Sequence, residues 1–193
     1  MKKKFLALAL SLTMVLGLAA CGGGSDNASS DGSSAASGDS GSSTVVVAMG
    51  SGFSTLDPGY VYEKYPPMIV NACYETLFKF YSNDGAPEPC LADTYEFSED
   101  GLTLTVTLKD GITFASGNPM TSADVAFSIN RCKNLQGNPA FIADTIDSIE
   151  TPDEKTIVFH LNQQDSAILS KLTYSSLAVL DSAVVKENGG TDA

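Results

Sequence analysis

Leu102-Thr103-Leu104-Thr105-Val106-Thr107-Leu108 alternates without a break between large apolar residues and threonine. Successive side chains of a strand point to opposite faces, so this pattern predicts a strand with Leu, Val and Leu turned to a core and threonine turned away. Glu99-Asp100-Gly101 just before it is a turn sequence, which predicts a hairpin with residues 93–98. A second hairpin is expected from Ile146 to Glu150 and Thr156 to Leu161, joined by Thr151-Pro152-Asp153-Glu154. Between the hairpins, Thr121-Ser122-Ala123-Asp124 is a capping-box variant with Asp in place of Glu, so a helix is expected to start there. It should run to about Arg131, whose charge suits the negative end of the helix dipole.

Outward from this centre, Val45-Val46-Val47-Ala48-Met49 is a short β-branched run that predicts a buried strand. A loop with Gly50, Gly52, Pro58 and Gly59 follows. The stretch 67–81 carries apolar residues at Met68, Ile69, Ala72, Cys73, Leu77 and Phe80, close to one helix face, and Pro66-Pro67 suits the start of a helix. Asn83-Asp84-Gly85 turns the chain, and short helices are expected at 165–172 and 181–187. The whole is a mixed α/β chain.

The first 43 residues are read differently. Met1 to Cys21 has a basic start (Lys2 to Lys4), an apolar run (Phe5 to Leu18) and small residues at Ala19 and Ala20. The apolar run is shorter than the roughly 20 residues needed to span hydrocarbon, so residues 1–20 are expected to be an export signal. Leu18-Ala19-Ala20-Cys21 resembles a bacterial lipobox, which implies a diacylglyceryl group on Cys21 and anchoring to the membrane by more than one acyl chain. Gly22 to Ser43 holds nine serines and six glycines, too little apolar surface to offset ordering, so 21–43 is expected to be a tether about 25 Å from end to end. Without residues 1–20 the chain keeps eight basic residues against 23 acidic ones, a net −15. Such a balance excludes nucleic acid as a partner, since phosphate binding rests on clustered Lys and Arg.

Four ordered segments then resemble the bacterial extracellular solute-binding proteins of family 5, the peptide and nickel receptors of ATP-driven importers. They are Thr55-Leu56-Asp57-Pro58; Tyr74-Glu75-Thr76-Leu77-Phe78; Pro89-Cys90-Leu91-Ala92 with Leu102 to Gly111; and Phe114 to Phe127. The family usually has Asp where this chain has Ser116, whose hydroxyl can still cap a turn. The resemblance implies a periplasmic-binding-protein-like class II clamp. Residues 44–193 would be the N-terminal part of its first lobe with the inserted subdomain, in a truncated or partial chain. It further implies the receptor of an ABC importer, extracytoplasmic and lipid-anchored, a monomer with a peptide ligand and permease subunits as partners. Nickel, haem or oligosaccharide ligands, and a surface sensor or adhesin without transport, are the alternatives.

No chemistry of its own is expected of this chain. His160 stands alone on the polar phase of its strand, and no G-x-S-x-G elbow accompanies it. Cys73, Cys90 and Cys132 lack the C-x2-C spacing of a zinc site, and Cys73 reads as a small core residue. No cofactor or metal is implied. The candidate ligand contacts are Tyr60, Tyr62, Glu63 and Tyr65, clustered in the loop that in the resembling family lies at the cleft. Aromatic rings in a loop give adaptable contact to varied side chains; a surface loop packed on the fold is the other reading.

Overall fold

The computed structural model describes residues 45–192 except 49, 51, 53 and 84. The chain divides into two units, Met1–Val46 and Val47–Ala193. In the first only Val45 and Val46 are described, and both are exposed. The export signal, Cys21 and the tether lie outside the described residues.

Both hairpins form as expected and combine into one antiparallel sheet. Strand β3 (Ala92–Phe97) pairs with β4 (Thr103–Leu108), β4 with β6 (Thr156–Leu161), and β6 with β5 (Ile146–Glu150). A two-stranded ribbon, β1 (Phe78–Lys79) with β2 (Glu88–Pro89), precedes it. Asp100 accepts hydrogen bonds from the Ser98 hydroxyl and the Leu102 N–H in the first turn, where Gly101 takes the positive φ of 65° that disfavours a side chain. In the second turn the Asp153 carboxylate accepts from the N–H groups of Lys155 and Thr156, both at 2.8 Å.

The alternation seen in the sequence is the burial pattern of the sheet. Leu104, Val106 and Leu108 of β4 and Ile157, Phe159 and Leu161 of β6 are buried, and Leu104 is opposite Phe159 in the ladder. Against this face pack Val125, Ile129 and Cys132 of the long helix, together with Ile168, Leu172 and Val179. Each such side chain contributes about 1.5–3 kcal/mol when fully buried. The α-helices among the described residues are α1 (Pro66–Cys73), the long α2 (Ser122–Asn134), α3 (Ile168–Lys171) and α4 (Ser182–Glu187). Helix α2 starts where the capping box placed it, with the Thr121 N–H donating to Asp124 at 2.9 Å. The same carboxylate also accepts from the N–H and the hydroxyl of Ser182, so the capping residue ties α2 to the start of α4.

Three expectations are corrected. Val45 to Ala48 are exposed and form no strand, because no strand among the described residues pairs with them. The helix predicted over 67–81 ends at Cys73; Tyr74 is extended, and the carbonyl of Leu77 accepts from the N–H groups of Cys90 and Ala92, which draws the chain into the ribbon. Cys73 is exposed, because this short helix buries Pro66 and Val70 instead.

Candidate functional site

The loop from Ser54 to Tyr65 is shaped by its own polar groups. Thr55 Oγ1 accepts from the Asp57 N–H at 3.0 Å, and Asp57 Oδ1 accepts from the Gly59 N–H at 3.1 Å, which starts a 3-10 turn over Pro58–Tyr60. The Ser54 hydroxyl donates to Glu63 Oε1 at 2.9 Å and closes the loop across nine residues. Val61 is buried with Val70 and Ala178, with Tyr74 packed against them, and so anchors the middle of the loop.

The loop comes close to helix α2 and to the turn after it at two glycines. A Cβ on Gly59 would come within 2.8 Å of Arg131 Nη1, and one on Gly137 within 2.9 Å of the Tyr60 ring. Both distances are below ordinary contact, so a side chain at either position would push the Arg131 guanidinium or the Tyr60 ring aside. Asp57 also forms a two-pronged ion pair with Arg131 in the last turn of α2, each oxygen 2.7 Å from a guanidinium nitrogen. Hydrogen bonding to Asp57 outweighs burial and raises the Arg131 pKa above its ordinary value.

Three rings are left exposed by this arrangement. Tyr60 is 45% exposed, Tyr62 51% and Phe141 52%. Phe141 comes from a 3-10 turn, Asn138–Ala143, that follows α2, and it meets Tyr62 edge to face with centroids 5.5 Å apart. Tyr65 is half-buried at the start of α1, with Lys64 Nζ 5.7 Å from its ring centre. The four residues singled out in the sequence thus share one loop: Tyr60 and Tyr62 are partly exposed, while Glu63 is engaged in closing the loop. Phe141 was missed. It is about eighty residues away in sequence, and Gly137-Asn138-Pro139 beside it signalled only a turn.

A separate cavity of about 360 Å³ is lined by Cys73, Tyr74, Phe114, Met120, Val179 and Asp181 among others, and by none of the four loop residues. At its edge the Ser116 hydroxyl donates to Asp181 at 2.5 Å and accepts from the Asn118 N–H at 3.2 Å. Serine therefore caps the turn at the position where the resembling family has Asp. His160 lies 3.3 Å from Glu150 on the outer face of the sheet. Among the described residues no three acidic, His or Cys side chains gather in a way that could hold a metal, and no helix is long and apolar enough to cross a membrane.

Comparison with known proteins follows the same lines. The family model for bacterial extracellular solute-binding proteins, family 5 Middle, matches residues 86–193. The glutathione-binding protein GsiB of Salmonella typhi is 30% identical over 147 residues, which are 75% of this chain and 28% of that protein. The binding protein AgaA of A. tumefaciens R10, solved in complex with agropinic acid, is 31% identical with a TM-score of 0.64, over 70% of this chain and 28% of that one. The substrate-binding domain of an oligopeptide ABC transporter from Bacillus anthracis has a TM-score of 0.65 at 22% identity, over 69% of this chain and 29% of that one. These neighbours have the class II periplasmic-binding-protein fold, and the chain spans less than a third of their length. By the match over residues 86–193 and the likeness to these relatives, the chain belongs to the bacterial extracellular solute-binding proteins of family 5.

Proposed function

We propose that this chain supplies part of the solute-contacting surface of an ABC importer's binding component, one that captures peptides outside the cytoplasmic membrane and passes them to the permease. The observation that carries this reading is the set of exposed rings, Tyr60, Tyr62 and Phe141, held on a loop and a turn that both rest against helix α2. Rings half open to solvent and fixed from behind give a solute apolar contact at little entropic cost, and tyrosine adds a hydroxyl. Glu63 keeps the loop closed. The relative named for glutathione, itself a small peptide, supports the peptide class. A lipid on Cys21 would hold the protein at the membrane, and residues 21–43 would let the folded part of a monomer reach solute and permease.

Binding and release, with no bond made or broken, is the whole of the proposed activity. A second reading, a solute that is not a peptide, is favoured by the neighbour solved with agropinic acid. Mass spectrometry of small molecules that co-purify with the protein separates the two. Peptides are expected; a metal chelate, a sugar or an opine in their place would overturn the substrate class.

A further inference from the structure

The loop bearing Tyr60 and Tyr62 is joined to helix α2 by a charged contact, the pair between Asp57 and Arg131, residues 74 apart in sequence. Its geometry is fork to fork: Nη1 lies 2.7 Å from Oδ1 and Nη2 lies 2.7 Å from Oδ2. Two parallel bonds fix orientation as well as distance, which a single point charge would not do. The pair is also withdrawn from solvent, with 11% of the Arg131 side chain exposed and 32% of that of Asp57. Arg131 Nε is buried with no hydrogen-bond acceptor among the described residues. A pair that gives up hydration this way gains little net stability over an apolar contact of the same size. What it does provide is register. Asp57 Oδ1 holds Arg131 and at the same time caps the turn through Gly59, so the guanidinium sets where that turn lies on α2. The turn bearing Phe141 starts four residues after α2 ends, so the same helix carries both partners of the Tyr62–Phe141 contact.

We propose that Arg131 is a positioning residue of the solute-contact surface, holding the Asp57–Tyr62 loop on helix α2 so that Tyr60, Tyr62 and Phe141 present one preformed face. The proposal rests on the reading of that face as the solute contact. Its test therefore starts with a readout that needs no solute, amide hydrogen exchange followed by mass spectrometry. In Arg131→Gln, the peptide covering 54–62 should exchange on the order of tenfold faster, while the peptide covering 103–108 keeps its wild-type rate. Asp57→Asn keeps an oxygen to cap Gly59 but loses the charge, and should accelerate 54–62 in the same way; it also serves if Arg131→Gln does not fold. Arg131→Lys, which restores the charge without the fork, should fall between.

Affinity is then measured on the protein with two probes, trialanine and reduced glutathione. For a probe that the wild type binds, Arg131→Gln should lose about tenfold and Arg131→Lys less. Unchanged exchange at 54–62 in both Arg131→Gln and Asp57→Asn would overturn the proposal. So would equal acceleration of 54–62 and 103–108, which would make the pair a general stabiliser. If the wild type binds neither probe while the loop alone loosens, the positioning role stands and the peptide reading falls.

Discussion

Phe159 and Val158 are neighbours in strand β6 and face opposite sides of the sheet, so truncating each to Ala tests the register directly. Phe159 is fully buried, opposite Leu104 of β4 on one side and Ile149 of β5 on the other. Val158 is opposite Thr105 and Glu150 and is half-buried on the outer face. Removing a buried phenyl ring takes away its transfer free energy and leaves a cavity, at a typical total of about 3–5 kcal/mol. The site is central in the sheet and walled on both sides, which places Phe159→Ala near the middle of that range, about 4 kcal/mol. Val158→Ala removes two methyl groups that water already reaches and should cost under about 1 kcal/mol. With a urea m-value of about 2 kcal/mol per molar, the first variant shifts the unfolding midpoint down by about 2 M and the second by less than about 0.5 M. Far-UV circular dichroism is the suitable probe, since the chain has no Trp. Equal shifts for the two variants, or a larger one for Val158→Ala, would refute the register, because a one-residue slip exchanges the buried and exposed sets.

Three further outcomes are expected. Burial raises the Cys132 thiol to about 11, against a small opposing effect of Arg131, so at pH 8 on the order of a thousandth of it is thiolate; peptide mapping after iodoacetamide treatment should find Cys73 labelled and Cys132 labelled only in denaturant, and rapid native labelling of Cys132 would contradict its packing. Burial works to raise the Asp165 carboxyl, but hydrogen bonds from Lys171, Thr145 and the Ala167 N–H outweigh it and hold the group below its ordinary 3.8. A depressed folded value means stability that is present above about pH 3.8 and lost as pH falls through the folded pKa, so Asp165→Asn should flatten the loss of stability below pH 4, and an unchanged acid profile would count against this network. The edge-to-face contact of Tyr62 and Phe141 should give a coupling of about 0.5–1.5 kcal/mol in a double-mutant cycle of stability, and strict additivity would show that the rings do not meet in solution.

What could be read in advance was local. Alternation over 102–108 marked β4, Asp100-Gly101 marked its turn, and Thr121 with Asp124 marked the start of α2, because each signal concerns groups within a few residues of one another. The misreadings concern groups whose partners are distant. Leu77 and Phe80 fitted a helix face, yet the Leu77 carbonyl accepts from the N–H groups of Cys90 and Ala92, so the ribbon won over the helix. Cys73 fitted an apolar phase, but burial depends on what packs against that face, and the helix turns Val70 inward instead. Residues 45–48 have the composition of a strand and no pairing strand among the described residues.

The same division runs through the candidate site. By itself the sequence determined a mixed α/β chain, two hairpins around a capped helix, a strongly acidic charge balance, and a loop rich in tyrosine. It could not show that Asp57 reaches Arg131, that Gly59 and Gly137 let the loop lie against α2, or that Phe141 joins Tyr62. Hydrophobic period and turn chemistry act over a few residues and are written in the order of the chain. A surface for binding needs side chains from separate segments to converge, and only folding of the whole sheet and helix sets the distances between them.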